Sequence, residues 1–359
     1  MTTTSLTTSA CPRTRFLTTK QQLKLGFWNV RTMSQISKTE QILKEVIQYN
    51  IDITAISETR WLGSGMEPLQ DGYVLAYSGH ENRRQAGVSV LMSPAARRAM
   101  LKWTPVNERI IYTRFWSAHG KLSIVACYAP TNEADEIEKD NFYETLQSVV
   151  AEIPRHDIIC VVGDLNAKVG SCHNYCPEVM GQHGIDDMNE NGVLLVDFAQ
   201  NNDLVIRGTW FQHKTIHKYT WTSPDGCTSN QIDHLLFSRK WRKSLLDVRG
   251  YRGADIQSDH NLMVAKIHLT LKATQKNNKP TTQKPFNVEK LNDKETARMF
   301  QLELSNRFEA LQSELEPRAD VERMWEKLKT TYREVLDEKL GYKKKKKVRW
   351  ISEQTWILN

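Results

Sequence analysis

The run ICVVGDLNAKVG, residues 159–170, places a carboxylate and an amide two residues apart, Asp164 and Asn166, just after four consecutive apolar side chains. Asp, Asn and Gly all favour turns, so a plain turn accounts for the local composition. The chemical reading is a carboxylate that takes a proton from water beside a hydrogen-bonding amide, both presented at the rim of a sheet. Other apolar runs break off in the same manner. LGFWNV delivers Asn29, TAISETR delivers Glu58, VACYAPT delivers Tyr128 and NQIDHLL delivers Asp233. IQSDHN delivers Ser258, Asp259 and His260 immediately before another apolar run.

Singly, each has a structural reading. Asn29 reads as a turn residue, Glu58 as a surface partner of Arg60, Tyr128 as half-buried packing and His260 as a histidine with a satisfied hydrogen bond. Together they are harder to dismiss, because ionisable groups at the ends of buried strands are costly unless paired or coordinating. Oxygen donors from Glu58, Asn29 and Asp259 suit a hard cation such as Mg²⁺, with Mn²⁺ as a substitute. A histidine beside a carboxylate, with another aspartate to fix its tautomer, suits phosphoryl recognition or acid–base work. Phosphodiester hydrolysis needs positive charge on the phosphate, a base for water and stabilisation of the leaving oxygen. This set supplies all three.

The elements that must position these groups alternate between strand and helix from Leu23 to about Leu271. SKTEQILKEVIQYN has a capping-box pattern, Ser37 to Glu40, with Ile42, Leu43, Val46 and Ile47 at helical spacing. Further helices are expected near 136–152 and 192–201. About ten short β-rich runs follow one another with few crossover helices between them. That order fits an α/β fold of two mainly antiparallel sheets packed face to face with helices outside, a four-layered sandwich, better than a doubly wound parallel sheet.

Residues 1–22 are acid-free and Thr-rich with no apolar signal region, and read as a disordered leader. Residues 23–271 form the main domain, 272–287 a polar linker, and 288–359 a helical basic extension. Of the net charge of +7, the chain from Lys272 onward contributes +6, with 20 basic against 14 acidic residues. Overall basicity therefore says nothing about what the main domain binds. The six cysteines suggest a reducing compartment rather than a disulfide framework. CHNYC, with Cys172, His173 and Cys176, lacks a second pair at zinc-finger spacing. No stretch approaches the roughly 20 apolar residues of a membrane span, so no membrane partner is expected.

WNV, SETR, YAPT, GDLNAKVG, YTWTSPDG…NQIDH and SDHN, in that order, resemble the endonuclease/exonuclease/phosphatase superfamily over roughly residues 23–271. More narrowly they are similar to the apurinic-endonuclease-like domain of RTE-type non-LTR retrotransposons, a pattern shared by craniofacial development protein 2-like chains. The resemblance implies a DNase I-like sandwich and a Mg²⁺-dependent endonuclease that nicks double-stranded DNA and leaves a 3′-hydroxyl. It implies Glu58 as principal metal ligand with Asn29 beside it and Asp259 in support. Asp164 would orient or deprotonate the attacking water, and Asn166 would bond the scissile phosphate. His260 would contact a non-bridging oxygen, held by Asp233, and Tyr128 would serve the phosphate or leaving group. Thr220, Trp221 and Arg60 would contact DNA, and Trp210 and His213 lie near the same expected face.

Two departures stand out. Arg31 occupies the position of an aspartate in repair-type apurinic endonucleases, and Thr131 follows YAP where many relatives have Asn. Both fit a nicking enzyme of retroelement origin better than abasic-site repair. The alternatives are an apurinic/apyrimidinic repair endonuclease, a phosphatase of the same fold, or a DNA-binding protein whose catalysis has decayed. In longer relatives a helical connector leads to a reverse transcriptase, and residues 288–359 read as the start of such a connector, in a truncated element or excised domain. Element RNA or that polymerase would be partners there. KKKKKVR reads as a nuclear localisation signal or a nucleic-acid clamp, and a nuclear, intracellular chain that acts as a monomer is expected.

Overall fold

The computed structural model describes residues 16–117, 119–171, 176–271, 286–314 and 321–343. The chain divides into two compact units, Met1–Lys272 and Ala273–Asn359. Most of the expected linker, the CHNYC residues Cys172 and His173, and the lysine run beyond Lys343 lie outside the described residues.

In the first unit, β1 (Leu23–Asn29) leads through α1 (Ile36–Gln48) to β2 (Ile53–Ser57), and β3 (Ser64–Pro68), β4 (Val74–Ser78) and β5 (Val88–Met92) follow. A short α2 (Pro94–Ala99) precedes β6 (Met100–Asn107), β7 (Ile110–Phe115) and β8 (Leu122–Tyr128). Next come α3 (Glu136–Ala151), β9 (Ile158–Asp164), α4 (Glu190–Asn201) and β10 (Leu204–Ile206). The small hairpin β11 (Trp221–Thr222) and β12 (Ser229–Asn230) leads to β13 (Asp233–Ser238), β14 (Leu245–Tyr251) and β15 (Leu262–Ile267). One sheet has the order β14-β15-β1-β2-β5-β4-β3 and the other β10-β13-β9-β8-β7-β6. Pairing is antiparallel except for β1 with β2 and β8 with β9, each bridged by one helix.

Period-two alternation explains the layers. Leu23, Leu25 and Phe27 of β1, Ile124 and Ala126 of β8, and Cys160 and Val162 of β9 share one core between the sheets. The opposite faces carry Trp28 and Ile56 under Ile42 and Val46 of α1, and Val125 and Val161 under α3 and α4. The central strands are therefore buried on both faces, which is why they read as unbroken apolar runs. The result is the expected α/β sandwich of two packed sheets flanked by helices.

Fifteen strands are present among the described residues, against about ten expected. Three of those the apolar pattern misses, β3, β6 and β14, are all at sheet edges. Their sequences, SGMEP, MLKWTPVN and LLDVRGY, carry the charge, proline and glycine that edges tolerate. The capping box does not form: α1 starts at Ile36, its N-cap Gln35 makes no side-chain cap bond, and Ser37 lies in the first turn. Within the expected leader, Phe16 and Leu17 are buried in the inter-sheet core, and the Leu17 carbonyl accepts from the Ser117 hydroxyl at 2.8 Å. That stretch from Phe16 belongs to the packed domain.

In the second unit, the described residues hold two α-helices, α5 (Lys294–Glu314) and α6 (Val321–Val335). Phe300, Val335 and Leu340 bury a small core, and Arg307 pairs with Glu303, Glu334 and Glu338.

Candidate active site

The register of the sheets gathers the polar strand ends at one edge. β1 and β8 end on Asn29 and Tyr128, and Tyr128 lies opposite Asp164, the last residue of β9. β13 runs antiparallel to β9 and starts opposite that same residue, Asp233 facing Asp164. β15 runs antiparallel to β1, so the His260 before it reaches the same edge. Gly163 makes the β8–β9 approach close: its φ is +145°, and a Cβ there would sit 2.0 Å from the Cys127 carbonyl oxygen.

His260 Nδ1 donates to Asp233 Oδ2 at 2.9 Å, and its Nε2 stands 3.8 Å from Asp164 Oδ2. All three side chains are buried, and their ligand atoms lie within 4.8 Å of one another, close enough to share one ion. Burial works against the imidazolium, but the Asp233 charge and hydrogen bond outweigh it, and His260 is pushed up to about 9. Burial, then the Asp233 charge, raises Asp164 to about 7. The two shifts run in the same direction: Asp233 favours the protonated imidazole of His260, and burial beside Asp233 makes Asp164 a stronger proton acceptor than an ordinary carboxylate.

Asn29 bridges the two sheets, its Nδ2 donating to Glu58 Oε1 and to Asp164 Oδ2, both at 2.8 Å. Its oxygen accepts from the Arg31 main-chain N at 2.9 Å. In this arrangement Asn29 braces the two carboxylates, and offering its oxygen to a metal requires the amide to turn over. Glu58 Oε2 pairs with Arg60 at 3.0 Å, so one carboxylate reaches both the surface arginine and the amide of Asn29. The Tyr128 hydroxyl bonds Glu58, and burial with the Glu58 and Asp164 charges pushes it up, keeping it a donor.

Asn166 answers the question raised by GDLN. Its main-chain N donates to Asp164 Oδ1 at 3.0 Å, a turn, while its side chain donates to the Ala129 carbonyl at 2.9 Å. The turn is how the pair is presented. Among the described residues, five of the ten left-handed non-glycine residues, Arg31, Glu58, Arg60, Asn166 and Gln257, sit in the loops carrying these groups. Backbone strain of this kind persists where surrounding contacts over-determine it.

Asp259 accepts from Trp221 Nε1 at 3.1 Å through Oδ2. Its Oδ1 is buried without a hydrogen-bond donor among the described residues, and Arg31 Nε stands 3.8 Å away. Asp259 Oδ1, which among the described residues lacks a hydrogen bond and meets the Arg31 charge, is an oxygen donor of the kind a hard cation takes, and Glu58 adds carboxylate oxygens with lone pairs beyond those its partners use.

Thr220 departs from expectation. It is fully buried, and its hydroxyl accepts from the main-chain N of Ile232 and Asp233 at 3.0 and 3.1 Å. It has no surface to line a DNA face and instead fixes the start of β13. Trp221 is half-buried and Arg60 half-exposed at the rim. His213 pairs with Asp247 at 2.7 Å on β14, beside Lys266, six residues along from His260 and down the flank.

Sequence reasoning missed several supports. Trp28 Nε1 donates to the His260 carbonyl at 2.9 Å, and Ser258 Oγ donates to the Asn29 carbonyl at 2.7 Å. Arg109 bonds the Tyr128 carbonyl at 3.3 Å and lies 5.2 Å from its ring. Asn189 caps α4, a signal visible in NENG had the helix been started there.

Residues 26–260 match the family described as Endonuclease/Exonuclease/phosphatase. The chain belongs to this family. Its name covers enzymes that hydrolyse phosphate ester bonds. Craniofacial development protein 2 of Bos taurus is 38% identical over 269 residues, covering 75% of this chain and 44% of that protein. The chain thus spans under half the length of this curated relative. Among solved structures, the AP endonuclease LMAP of Leishmania major has a TM-score of 0.54 at 12% identity, covering 70% of this chain and 89% of that one. The APE2 catalytic domain of Xenopus laevis has a TM-score of 0.52 at 16% identity, covering 70% and 94%. At these identities the likeness is one of fold: this endonuclease/exonuclease/phosphatase chain shares its sandwich with AP endonucleases.

Proposed function

We propose that the chain is a metal-dependent DNA endonuclease that nicks one strand and leaves a 3′-hydroxyl. The observation that carries this reading is the Asp233–His260–Asp164 line meeting the Asn29–Glu58 pair at one edge. Asp164 takes the proton of the attacking water. His260, held as a cation by Asp233, donates from Nε2 to a non-bridging phosphate oxygen, and the second Asn166 side-chain N–H bonds the same group. The Tyr128 hydroxyl serves the leaving oxygen. Glu58 and Asp259 would hold the divalent cation, with Asn29 beside them. Bound there, Mg²⁺ supplies charge neutralisation at the phosphate.

Double-stranded DNA is the substrate this reading favours. The main unit is close to neutral overall, yet Arg31, Arg60 and Arg109 stand beside the site. Exposed Arg83 and Arg84 lie in a loop tied back by the Arg60 N bond to the Ala86 carbonyl. Origin in an RTE-type retrotransposon and a nuclear location are part of the same proposal. The motif order supports the first and the KKKKKVR run the second. A monomer suffices, since every group invoked comes from one chain.

The test is nicking of supercoiled plasmid with Mg²⁺ by the native chain, Glu58→Ala and His260→Ala, beside an abasic-site duplex. Mg²⁺-dependent relaxation, lost in both variants, is expected. Preference for the abasic duplex would move the assignment to repair. A native chain that leaves both substrates intact would sink the endonuclease and turn the search to phosphate monoesters.

A further inference from the structure

The loop carrying Asp164 and Asn166 and the loop after Tyr128 meet at α4, not at each other's side chains alone. Asn191, in the first turn of α4 and 2% exposed, donates through one Nδ2 to the Asn166 carbonyl at 3.1 Å and to the Pro130 carbonyl at 3.0 Å. Its main-chain N approaches Asn132 Oδ1 at 3.4 Å. Asn189 adds a bond to the Asn166 carbonyl at 3.4 Å, and its Oδ1 accepts from the Lys168 N at 2.9 Å. Gly192 allows the approach, since a Cβ there would lie 1.9 Å from the Lys168 carbonyl oxygen. On the other side His234 Nε2 donates to the Ala167 carbonyl at 2.7 Å.

One detail separates Asn191 from an ordinary buried amide. Its Oδ1 is buried with no partner among the described residues. Turning the amide over would set that oxygen against two carbonyl oxygens, so the donor side is fixed at the cost of an unsatisfied acceptor. A side chain chosen only for packing would not carry that penalty.

We infer that Asn191 is a positioning residue that locks the Tyr128–Asn132 loop and the Asp164–Lys168 loop into one register. Its catalytic consequence rests on the endonuclease reading; the locking itself does not. The Tyr128 hydroxyl and the Asp164–Asn166 pair must address the same phosphate, so slippage between the loops misplaces one against the other. A misplacement of about 1 Å costs on the order of 100-fold in rate.

The experiment compares the full chain with Asn191→Leu, Asn191→Ser and a control, Ser238→Ala. The control removes a buried acceptor for the Ile159 N, 2.7 Å away, at the opposite end of β9 from Asp164. Hydrogen exchange of segments 128–132 and 164–168 and plasmid nicking are read on each. In Asn191→Leu both segments are expected to exchange faster together. kcat should fall about 10- to 100-fold with KM and Mn²⁺ binding unchanged. Asn191→Ser, which keeps one donor, should lie between and carries the reading if the leucine variant does not fold. Ser238→Ala should keep kcat. Faster exchange in only one segment, or in neither, would overturn the inference, as would an equal kcat loss in Ser238→Ala. If the native chain nicks nothing, the endonuclease reading fails while hydrogen exchange still decides the lock.

Discussion

Asp164 accepts from the Asn29 amide and the Asn166 main chain while facing Asp233 and His260, so its chemistry is set by four neighbours on four segments. Folding raises His260 from 6.5 to about 9, because the Asp233 charge and hydrogen bond outweigh the burial that opposes them. A raised histidine contributes stability that is fully present below about pH 6.5 and lost as pH climbs through about 9. Thermal melts in chelator should therefore show the native chain's advantage over His260→Gln shrinking across that window. A pH-independent gap would show that Asp233 does not hold the imidazolium. Asp259→Asn keeps an acceptor for Trp221 but removes the charge. It should weaken Mn²⁺ binding about 10-fold or more with little change in melting temperature, as read by titration of the metal. At this scale GDLN and SDHN were readable because each chemical group is local. Thr220 was not: its type fits a DNA-facing hydroxyl, and only its burial reveals an acceptor for Asp233.

Elements deliver the groups by register, and register tolerates little. Gly163→Ala would force a Cβ into the Cys127 carbonyl between β8 and β9. A destabilisation of at least about 3 kcal/mol by denaturant unfolding is expected, from clash and a left-handed backbone together. Thr220→Val leaves two main-chain N–H groups short of their acceptor and should cost about 1–3 kcal/mol. It should also misplace Asp233, so kcat should fall more than stability alone explains. The central strands were legible because both faces are buried. β3, β6 and β14 were not, because an edge strand needs no continuous apolar pattern.

For the whole molecule, the two units each bury a core of their own. A chain ending at Leu271 should melt as the full-length main unit does and retain its plasmid nicking. The tail's charge predicts a further effect. Without it, DNA affinity should fall and the slope of log affinity against log salt should flatten, checked by titration between about 50 and 200 mM salt. An unchanged slope would mean the basic extension takes no part in binding DNA.

Sequence by itself determined which residues could do the chemistry, their order along the chain and the sandwich class. Those properties follow from residue type and from apolar runs, which are local. Only the tertiary structure decided that Asn29 joins Glu58 to Asp164, that Thr220 faces inward, and that Asn191 ties two loops together. The residues involved are up to 135 positions apart. Contacts across that separation depend on strand register and on which polar group finds a partner after burial, and no local pattern encodes either.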